Sequence, residues 1–317
     1  MSLPIERSPA PGAEALFRLH GRKLWALAYR LTGSAEDAED VVQETFARLL
    51  AQPPRAADTL PAWLARVATN LGIDALRRRR RRGYTGAWLP QPVEEEDSLP
   101  AEARAAAPDA EARYGLLESA TFAFLLALEA LGPRARAMLL LRDVFDYSAA
   151  EAAVVLGTTQ GNARVLHLRA RRAMEAYDRA RCIPTPELYA RHRQALERLL
   201  GCLLAEDTAA LESLLAETVR TETDAGGAFT ALAAPMEGRA RVARFYVRAA
   251  KSRREGGPRT RFARINGLPA LVIALAHPVR RQAPRTVLRC ELGADGRIAR
   301  IHSVLAPRKL GRVAFPA

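Results

Sequence analysis

The chain has 317 residues, 49% of them hydrophobic, which is enough for two or three globular domains and excludes disorder throughout. Its formal net charge of +13 comes almost entirely from arginine, and because the guanidinium group suits bidentate contacts to phosphate and guanine, a polyanionic partner is expected. The three cysteines lie far apart and the five histidines are scattered, so no metal site, cofactor site or disulfide framework is expected.

Two helices are predicted in the first 50 residues, on either side of Gly33. Residues 14–31 carry apolar side chains at helical spacing, and Ser34 is placed to cap the next helix. That second helix has acidic residues in its first turns, where they suit the positive end of the helix dipole. On so basic a protein, its polar face predicts a basic protein partner, with a plain solvated face as the alternative. The face consists of Asp37, Asp40, Gln43 and Glu44.

A third helix is predicted over residues 60–82, with an apolar stripe that includes Trp63 and Leu64. It ends in six consecutive arginines at residues 77–82. Cations at a helix C-terminus are favourable, but six in a row repel one another unless an anion is close. The run therefore favours contact with phosphate over a role in solubility alone.

Residues 83–112 are predicted to form a partly extended linker, because prolines alternate there with acidic residues. The apolar pair Trp88 and Leu89 stands out in this polar segment. Because exposed tryptophan usually packs on another apolar surface, the pair predicts a docking site elsewhere in the chain.

Residues 143–174 predict two helices joined by a tight turn. Ser148 and Glu151 form a capping box that starts the first helix, and Gly157 supplies the left-handed residue that ends it. The second helix begins near Gln160 and exposes amide, imidazole and guanidinium groups, which suit base edges and phosphates. This pattern predicts a helix-turn-helix, although a solvated helical hairpin would share it.

The last third of the chain changes its period from helical to strand-like. Two helical patterns after residue 185 precede a strand at residues 219–224 and a helix near residues 239–250. Apolar runs then flank Asn266-Gly267 and Asp295-Gly296, and both dipeptides are strong hairpin signals. Together they predict an α+β domain with a curved antiparallel sheet.

The segments GSAEDAEDVVQETFARLL (33–50) and AWLARVATNLGIDALRRRRRR (62–82) resemble region 2 of bacterial sigma-70-type factors of the extracytoplasmic-function group. The helix-turn-helix resembles region 4 of the same group, and the tryptophan-leucine-proline linker resembles members with a SnoaL-like C-terminal extension. The resemblance implies a multidomain chain with two all-α sigma domains and an α+β cone domain. The implied domains are region 2 at 13–82, the linker at 83–112, region 4 at 113–182 and the SnoaL-like domain at 185–307.

The resemblance implies transcription initiation, in which a sigma factor binds core RNA polymerase and directs it to promoter DNA. The residues that match the polymerase-binding surface are Asp37, Asp40, Val41, Gln43, Glu44 and Phe46. Those that match the part engaging the minus 10 element are Arg55, Trp63, Arg66, Asn70, Arg77 and Arg78. Those on the helix expected in the major groove at the minus 35 element are Thr159, Gln160, Asn162, Arg164, His167 and Arg171.

The extension implies regulation in cis, by docking against the linker or region 2. Its segment TDAGGAF (223–229) resembles a DGGGK-type motif, but Ala225 replaces a glycine and Ala228 replaces the lysine. A regulatory lysine is therefore not expected at that position. A small-molecule ligand of the cone is a further candidate partner. The candidate regulatory residues are Trp88, Leu89, Asp224, Gly226 and Gly227.

Two other functions stay open on the residues alone. An operator-binding regulator with a ligand-sensing domain would explain the arginine run and the helix-turn-helix, but not the acidic helix face. A SnoaL-like enzyme with DNA-binding appendages would need an acid or base in the cone, for which Glu222, Asp224 and His302 are candidates. Their spacing does not require proton transfer, and a fold alone does not imply catalysis, so no enzymatic activity is expected.

The cellular location is predicted from two further features. The chain opens without a signal peptide, and it contains no apolar run long enough to cross a bilayer. We therefore expect a cytoplasmic protein with no membrane partner.

Overall fold

The computed structural model describes residues 12–52, 54, 60–94 and 113–316. Arg55 and the linker residues after Glu94, up to residue 112, lie outside the described residues. The first helical unit contains α1 (Ala13–Thr32), α2 (Ala35–Ala51) and α3 (Leu60–Arg82). Gly33 ends α1 with a φ of 70°, and the Ser34 hydroxyl accepts a hydrogen bond from the Asp37 amide at the start of α2.

The second helical unit contains the predicted helix-turn-helix. Its Ser148–Glu151 capping box is present, and Gly157 ends the first of the two helices with a φ of 58°. Thr159 then caps the second, accepting a hydrogen bond from the Asn162 amide. The helices are α4 (Leu116–Ser119), α5 (Phe122–Ala127), α6 (Pro133–Asp143), α7 (Ala149–Leu156), α8 (Gln160–Ala173) and α9 (Glu175–Asp178).

The C-terminal unit is the predicted α+β domain. It starts with α10 (Pro186–Leu204) and α11 (Thr208–Leu214), and α12 (Arg239–Arg253) lies between the second and third strands. The strands are β1 (Leu215–Asp224), β2 (Met236–Glu237), β3 (Pro258–Ile265), β4 (Leu268–Leu275), β5 (Arg285–Leu292) and β6 (Ile298–Val304). Their order in the sheet is β2-β1-β6-β5-β4-β3.

One strand pair departs from the predicted antiparallel sheet. The strands β1 and β6 pair in parallel, whereas the other neighbouring strands are antiparallel. A parallel pair needs a long crossover, and residues 225–297, which include α12, provide it. Hairpin signals in a sequence report only adjacent strands, so this pairing of distant strands left no such signal.

Both faces of the sheet are buried, which explains the continuous apolar run of β4. One face packs on the domain's own helices, through residues such as Leu196, Val242 and Leu271. The opposite face packs on Leu89 of the linker and Phe122 of the second helical unit. The sheet therefore forms a shared core with the rest of the chain. Among the described residues, no helix has the length and apolar character needed to span a membrane.

Candidate interfaces and the docked linker

The polar face of α2 is largely exposed. Asp40, Gln43 and Glu44 are exposed and Asp37 is half-buried, whereas Val41 and Phe46 lie in the helical core. Glu44 forms a surface ion pair with Arg48, one turn further along, at 2.8 Å. Asp40, Gln43 and Glu44 are therefore available to a partner, while the two apolar residues hold the helix in place.

The predicted minus 10 surface on α3 is partly occupied. Asn70 is exposed and Trp63 is half-buried against the helical core. The Arg66 guanidinium donates two hydrogen bonds, of 3.2 and 2.9 Å, to the backbone carbonyl of Val154 in α7. The first helical unit thus contacts the helix-turn-helix through a side chain predicted to bind DNA.

The arginine run at the end of α3 divides into two groups. Arg77 and Arg78 are exposed, and Arg77 pairs with Asp74 at 3.1 Å. Arg79 instead pairs with Glu129 at 2.5 Å, and Arg80 donates to the Leu131 carbonyl at 2.8 Å. These latter two arginines hold α3 against the second helical unit.

The predicted recognition helix α8 is exposed along the side that carries the residues proposed to read DNA. Thr159, Gln160, Asn162, Arg164 and Arg171 are all exposed. His167 differs, because its Nε2 lies 2.7 Å from Asp143 Oδ1 and its side chain is only 16% exposed. His167 therefore links α8 to α6 in this arrangement.

The predicted regulatory residues meet at a buried carboxylate. Asp224 is fully buried and accepts hydrogen bonds from the Tyr84 hydroxyl at 2.6 Å and the Leu89 amide at 2.9 Å. Lys309 Nζ forms an ion pair with Asp224 at 2.7 Å and also donates to the Leu89 carbonyl. We call Tyr84, Leu89, Asp224 and Lys309 the latch.

Trp88 packs beside the latch between two cations. Its ring centroid lies 3.7 Å from Arg79 Cζ and 4.1 Å from Lys309 Nζ. The ring also covers Gly33, where an added Cβ would lie 2.5 Å from the ring. The tryptophan thus joins the first helical unit to the C-terminal tail, and Gly33 leaves the necessary space.

The glycine pair forms the turn after Asp224. Gly226 and Gly227 have φ values of 56° and 77°, a region that favours glycine. A Cβ at Gly226 would lie 3.2 Å from the Tyr84 hydroxyl, and one at Gly227 would lie 3.4 Å from Thr85. Both glycines therefore allow the linker to approach β1 closely.

Burial shifts the pKa values of Lys309 and Tyr84, the two proton-bearing side chains of the latch, in opposite directions. Burial lowers the pKa of Lys309 to about 8, although the nearby Asp224 carboxylate opposes this shift. Burial and the hydrogen bond to Asp224 raise the pKa of Tyr84, so that its hydroxyl remains a donor. A protonated lysine and a phenol thus share one carboxylate.

A second joint lies at the tip of the β3–β4 hairpin. Asn266 and Gly267 form the predicted turn with φ values of 51° and 80°, yet Asn266 is fully buried. The Asn266 side chain donates to the Tyr29 hydroxyl at 2.7 Å and the Ala120 carbonyl at 3.0 Å. Its backbone amide donates to the Val93 carbonyl at 3.0 Å. One asparagine therefore bonds both helical units and the linker.

The linker and the C-terminal tail also contact α1 and α2. The Gln91 side chain accepts a hydrogen bond from the Ala35 amide at 2.7 Å, which satisfies a free donor at the start of α2. Glu94 forms a bidentate pair with Arg261 at 2.8 and 2.7 Å. Arg312 pairs with Glu39 of α2, one position before the exposed Asp40. The tail thus reaches the edge of the predicted polymerase-binding face.

No pattern in the sequence predicted that these joints would include Lys309, Tyr84 and Asn266. Lys309 supplies the cation of the latch and lies 81 positions after Ala228, the position that aligns with the lysine of the DGGGK-type motif. One signal was present, since lysine occurs only three times in a chain with 48 basic residues.

The three residues considered for catalysis do not share a cavity. Glu222 pairs with Arg220 at 3.1 Å, Asp224 belongs to the latch, and the His302 ring packs 5.3 Å from that of Phe122. Burial lowers the pKa of His302. A cavity of about 420 Å³ lies inside the domain, lined by alternate residues of the same strands such as Thr223 and Ser303, and none of the three lines it.

Comparison with known proteins identifies both helical units. Residues 16–82 match the Sigma-70 region 2 family, and residues 121–174 match the Sigma-70, region 4 family. The chain is similar to the ECF RNA polymerase sigma factor SigJ of Mycobacterium tuberculosis, with 36% identity over 230 residues, or 71% of this chain and 69% of that protein. It is also similar to SigG of the same species, with 37% identity over 224 residues, covering 60% of this chain and 58% of that protein.

The similarity extends to the C-terminal domain. The crystal structure of the M. tuberculosis extracytoplasmic function sigma factor SigJ superposes with a TM-score of 0.70 at 28% sequence identity. That match covers 96% of this chain and 100% of the SigJ chain, so it includes the sheet as well as the helices. The chain therefore belongs to the extracytoplasmic-function group of RNA polymerase sigma factors, with an α+β domain after regions 2 and 4.

Proposed function

We propose that this sigma factor directs core RNA polymerase to promoters through α2, α3 and α8, and that its C-terminal domain holds a closed resting state in cis. The direct contact between regions 2 and 4 supports the proposed closed resting state. Arg66, on the surface proposed to bind the minus 10 element, is bonded to Val154 of the helix-turn-helix.

Each interface is assigned by exposure and chemistry. Asp40, Gln43 and Glu44 present acceptors to a basic surface of core polymerase. Asn70, Arg77 and Arg78 supply exposed amide and guanidinium groups for the minus 10 element. The residues on α8 proposed to contact the minus 35 element are Thr159, Gln160, Asn162, Arg164 and Arg171. The proposed function is non-catalytic.

The closed arrangement is too compact for simultaneous contact with both promoter elements. Positions minus 35 and minus 10 are 25 base pairs apart, or about 85 Å along duplex DNA at about 3.4 Å per base pair. A compact chain of this length has a radius of gyration of about 20 Å and thus a diameter of about 50 Å. Regions 2 and 4 must therefore separate before both can bind.

The C-terminal domain supports the closed state because it bonds to each part that must move. Asn266 bonds region 2 at Tyr29 and the start of the region 4 unit at Ala120. The latch holds the linker that connects the two regions. Release of the latch would free the linker to extend, and the paired regions could then separate.

Run-off transcription with core RNA polymerase tests the assignment of the α2 surface. Full-length protein is expected to direct initiation at a defined start site, and Asp40→Arg is expected to lose both this activity and polymerase binding. Glu175→Arg is the matched control, because Glu175 is exposed on α9, away from α2. Specific initiation by Asp40→Arg at the wild-type level would contradict the proposed polymerase interface.

A further inference from the structure

The cavity inside the C-terminal domain has the size and lining of a small-molecule site. Its volume is about 420 Å³, within the range of roughly 300–1,000 Å³ that is usual for ligand pockets. Leu203 and Phe245 form part of one wall, and Leu271, Ile273 and Leu288 of the sheet form the opposite wall. The body of an occupant must therefore be largely apolar.

Hydroxyl groups mark the side of the cavity next to β1 and β6. Tyr246 shares hydrogen bonds with Thr221 at 2.7 Å and Ser303 at 3.1 Å, so these three groups are already satisfied. Thr223 differs, because its Oγ1 is buried without a hydrogen-bond partner among the described residues, and the residue is only 5% exposed. The polar side of the cavity is therefore made of buried hydroxyl groups next to β1 and β6.

The side chain of Arg253 lines the cavity and gives it a positive charge. Arg253 follows Tyr246 by two helical turns, and burial lowers its pKa. Its Nε is buried without a hydrogen-bond partner in the part of the chain that the structure describes. Glu206 is the acidic residue among those lining the cavity, and Lys251 at 3.3 Å and Arg254 at 3.2 Å already pair with it. The guanidinium of Arg253 therefore lacks a carboxylate in the described residues.

We propose that this cavity binds a small apolar monocarboxylic acid, whose carboxylate pairs with Arg253 and whose hydrocarbon body fills the space toward Leu271 and Leu288. A carboxylate suits this site because it accepts bidentate hydrogen bonds from a guanidinium. A neutral hydrocarbon would leave the arginine unpaired, and an amine would be repelled by it.

The site adjoins the latch, and this part of the inference rests on the proposed closed state. Thr223 immediately precedes Asp224 on β1, and the amide of Leu305, which also lines the cavity, donates to the Asp224 carbonyl at 2.7 Å. An occupant that displaces Thr223 or Leu305 would move the backbone that holds Asp224. Binding is thus coupled to the docking of the linker.

Isothermal titration calorimetry on the full chain tests the site with straight-chain acids as probes. Decanoate is expected to bind more tightly than octanoate by about 15-fold, because each buried methylene strengthens binding by roughly fourfold. Decanol and decylamine, which have the same chain without a carboxylate, are expected to bind at least about tenfold more weakly than decanoate.

Two variants locate the carboxylate. Arg253→Gln is expected to weaken decanoate binding at least tenfold, whereas Arg248→Gln, at an exposed position of the same helix, leaves it unchanged. Ala249→Phe, which fills the cavity, is expected to abolish binding and supplies an independent test if Arg253→Gln does not fold. Absence of decanoate binding to wild type, or equal binding of decanol, overturns the proposal. Because calorimetry does not depend on transcription, these results stand apart from the test of the closed state.

Discussion

Asp224 is the residue on which the docking of the linker depends most directly. It is fully buried, and its two carboxylate oxygens accept hydrogen bonds from Tyr84, Leu89, Gly226 and Lys309. A buried carboxylate is tolerated only when it is paired and hydrogen-bonded, and here the linker supplies two of its donors. Undocking would therefore leave a charged group partly unsatisfied.

Replacing Asp224 by asparagine is expected to release the linker, because the buried Lys309 would lose its counterion and Tyr84 and Leu89 would lose a charged acceptor. Loss of one partner of a buried ion pair costs on the order of 3 kcal/mol. We expect faster hydrogen exchange at residues 84–93 and more run-off transcript at limiting protein concentration. Glu222→Gln on the same strand is the control, since Glu222 pairs with the exposed Arg220. Unchanged exchange in Asp224→Asn would show that the latch does not hold the linker.

Replacing Lys309 by methionine tests the buried charge through its pH dependence. The pKa of Lys309 is about 8 in the folded chain, against an ordinary value of 10.5. Between these pH values the unfolded chain binds more protons, so the free energy of unfolding contributed by Lys309 rises with pH. Chemical denaturation should therefore show the wild type gaining stability relative to Lys309→Met from about pH 8 to pH 10.5. A flat or falling difference would contradict the buried position of the charge.

For individual residues, the sequence predicted the chemistry of some but not the contact partners of others. Trp88 and Leu89 were identifiable because apolar residues in a polar linker need a surface to cover. Asn266 was read as a hairpin residue, which is correct, but its burial against Tyr29 depends on how distant parts of the chain dock. Lys309 was missed for the same physical reason, because contacts between distant segments leave no local pattern.

Among the secondary-structure elements, the helix-turn-helix was the most predictable. Its boundaries depend on local chemistry, namely the capping box at Ser148 and the left-handed Gly157. The hairpins across Asn266-Gly267 and Asp295-Gly296 were predictable for the same reason, and both are present. The parallel pairing of β1 with β6 depends on the path of the whole domain, and no local signal specified it.

Arg164 on α8 tests whether the helix-turn-helix contacts promoter DNA. Arg164→Ala is expected to weaken binding of the polymerase holoenzyme to promoter DNA by about 5- to 150-fold, equivalent to the 1–3 kcal/mol of a good base contact. Polymerase binding should not change, because Arg164 is exposed on the second helical unit, whereas α2 belongs to the first. Fluorescence anisotropy with labelled promoter DNA measures the effect, with Arg179→Ala, exposed beyond α9, as the control. Equal losses in both variants would indicate general charge attraction instead of groove contact.

The composition shows a basic protein but does not locate the charge along the chain. Residues 185–317 contain 23 basic and 12 acidic residues, a net charge of +11, whereas residues 1–184 contain 25 and 23, a net charge of +2. The excess charge therefore lies mainly in the C-terminal domain. The acidic residues of α2 and the linker offset the arginines of regions 2 and 4.

The arrangement of the three units follows from the two covered faces of the sheet. Leu89 and Phe122 pack on the face that the domain's own helices leave open. Separation of the domain from regions 2 and 4 would expose this apolar face to water, at about 25 cal/mol per Å². This closed arrangement is therefore stabilised by apolar burial as well as by the latch, and in the proposed mechanism core polymerase must offset both.

The distance between regions 2 and 4 tests the closed resting state most directly. Fluorophores coupled at Leu19 on α1 and Ala176 on α9, both exposed, would report this distance by resonance energy transfer. We predict a short distance in the free chain, within the diameter of about 50 Å, and an increase of tens of ångströms in the complex with core polymerase and promoter DNA. An active initiation complex that keeps the distance of the free chain would contradict the closed resting state.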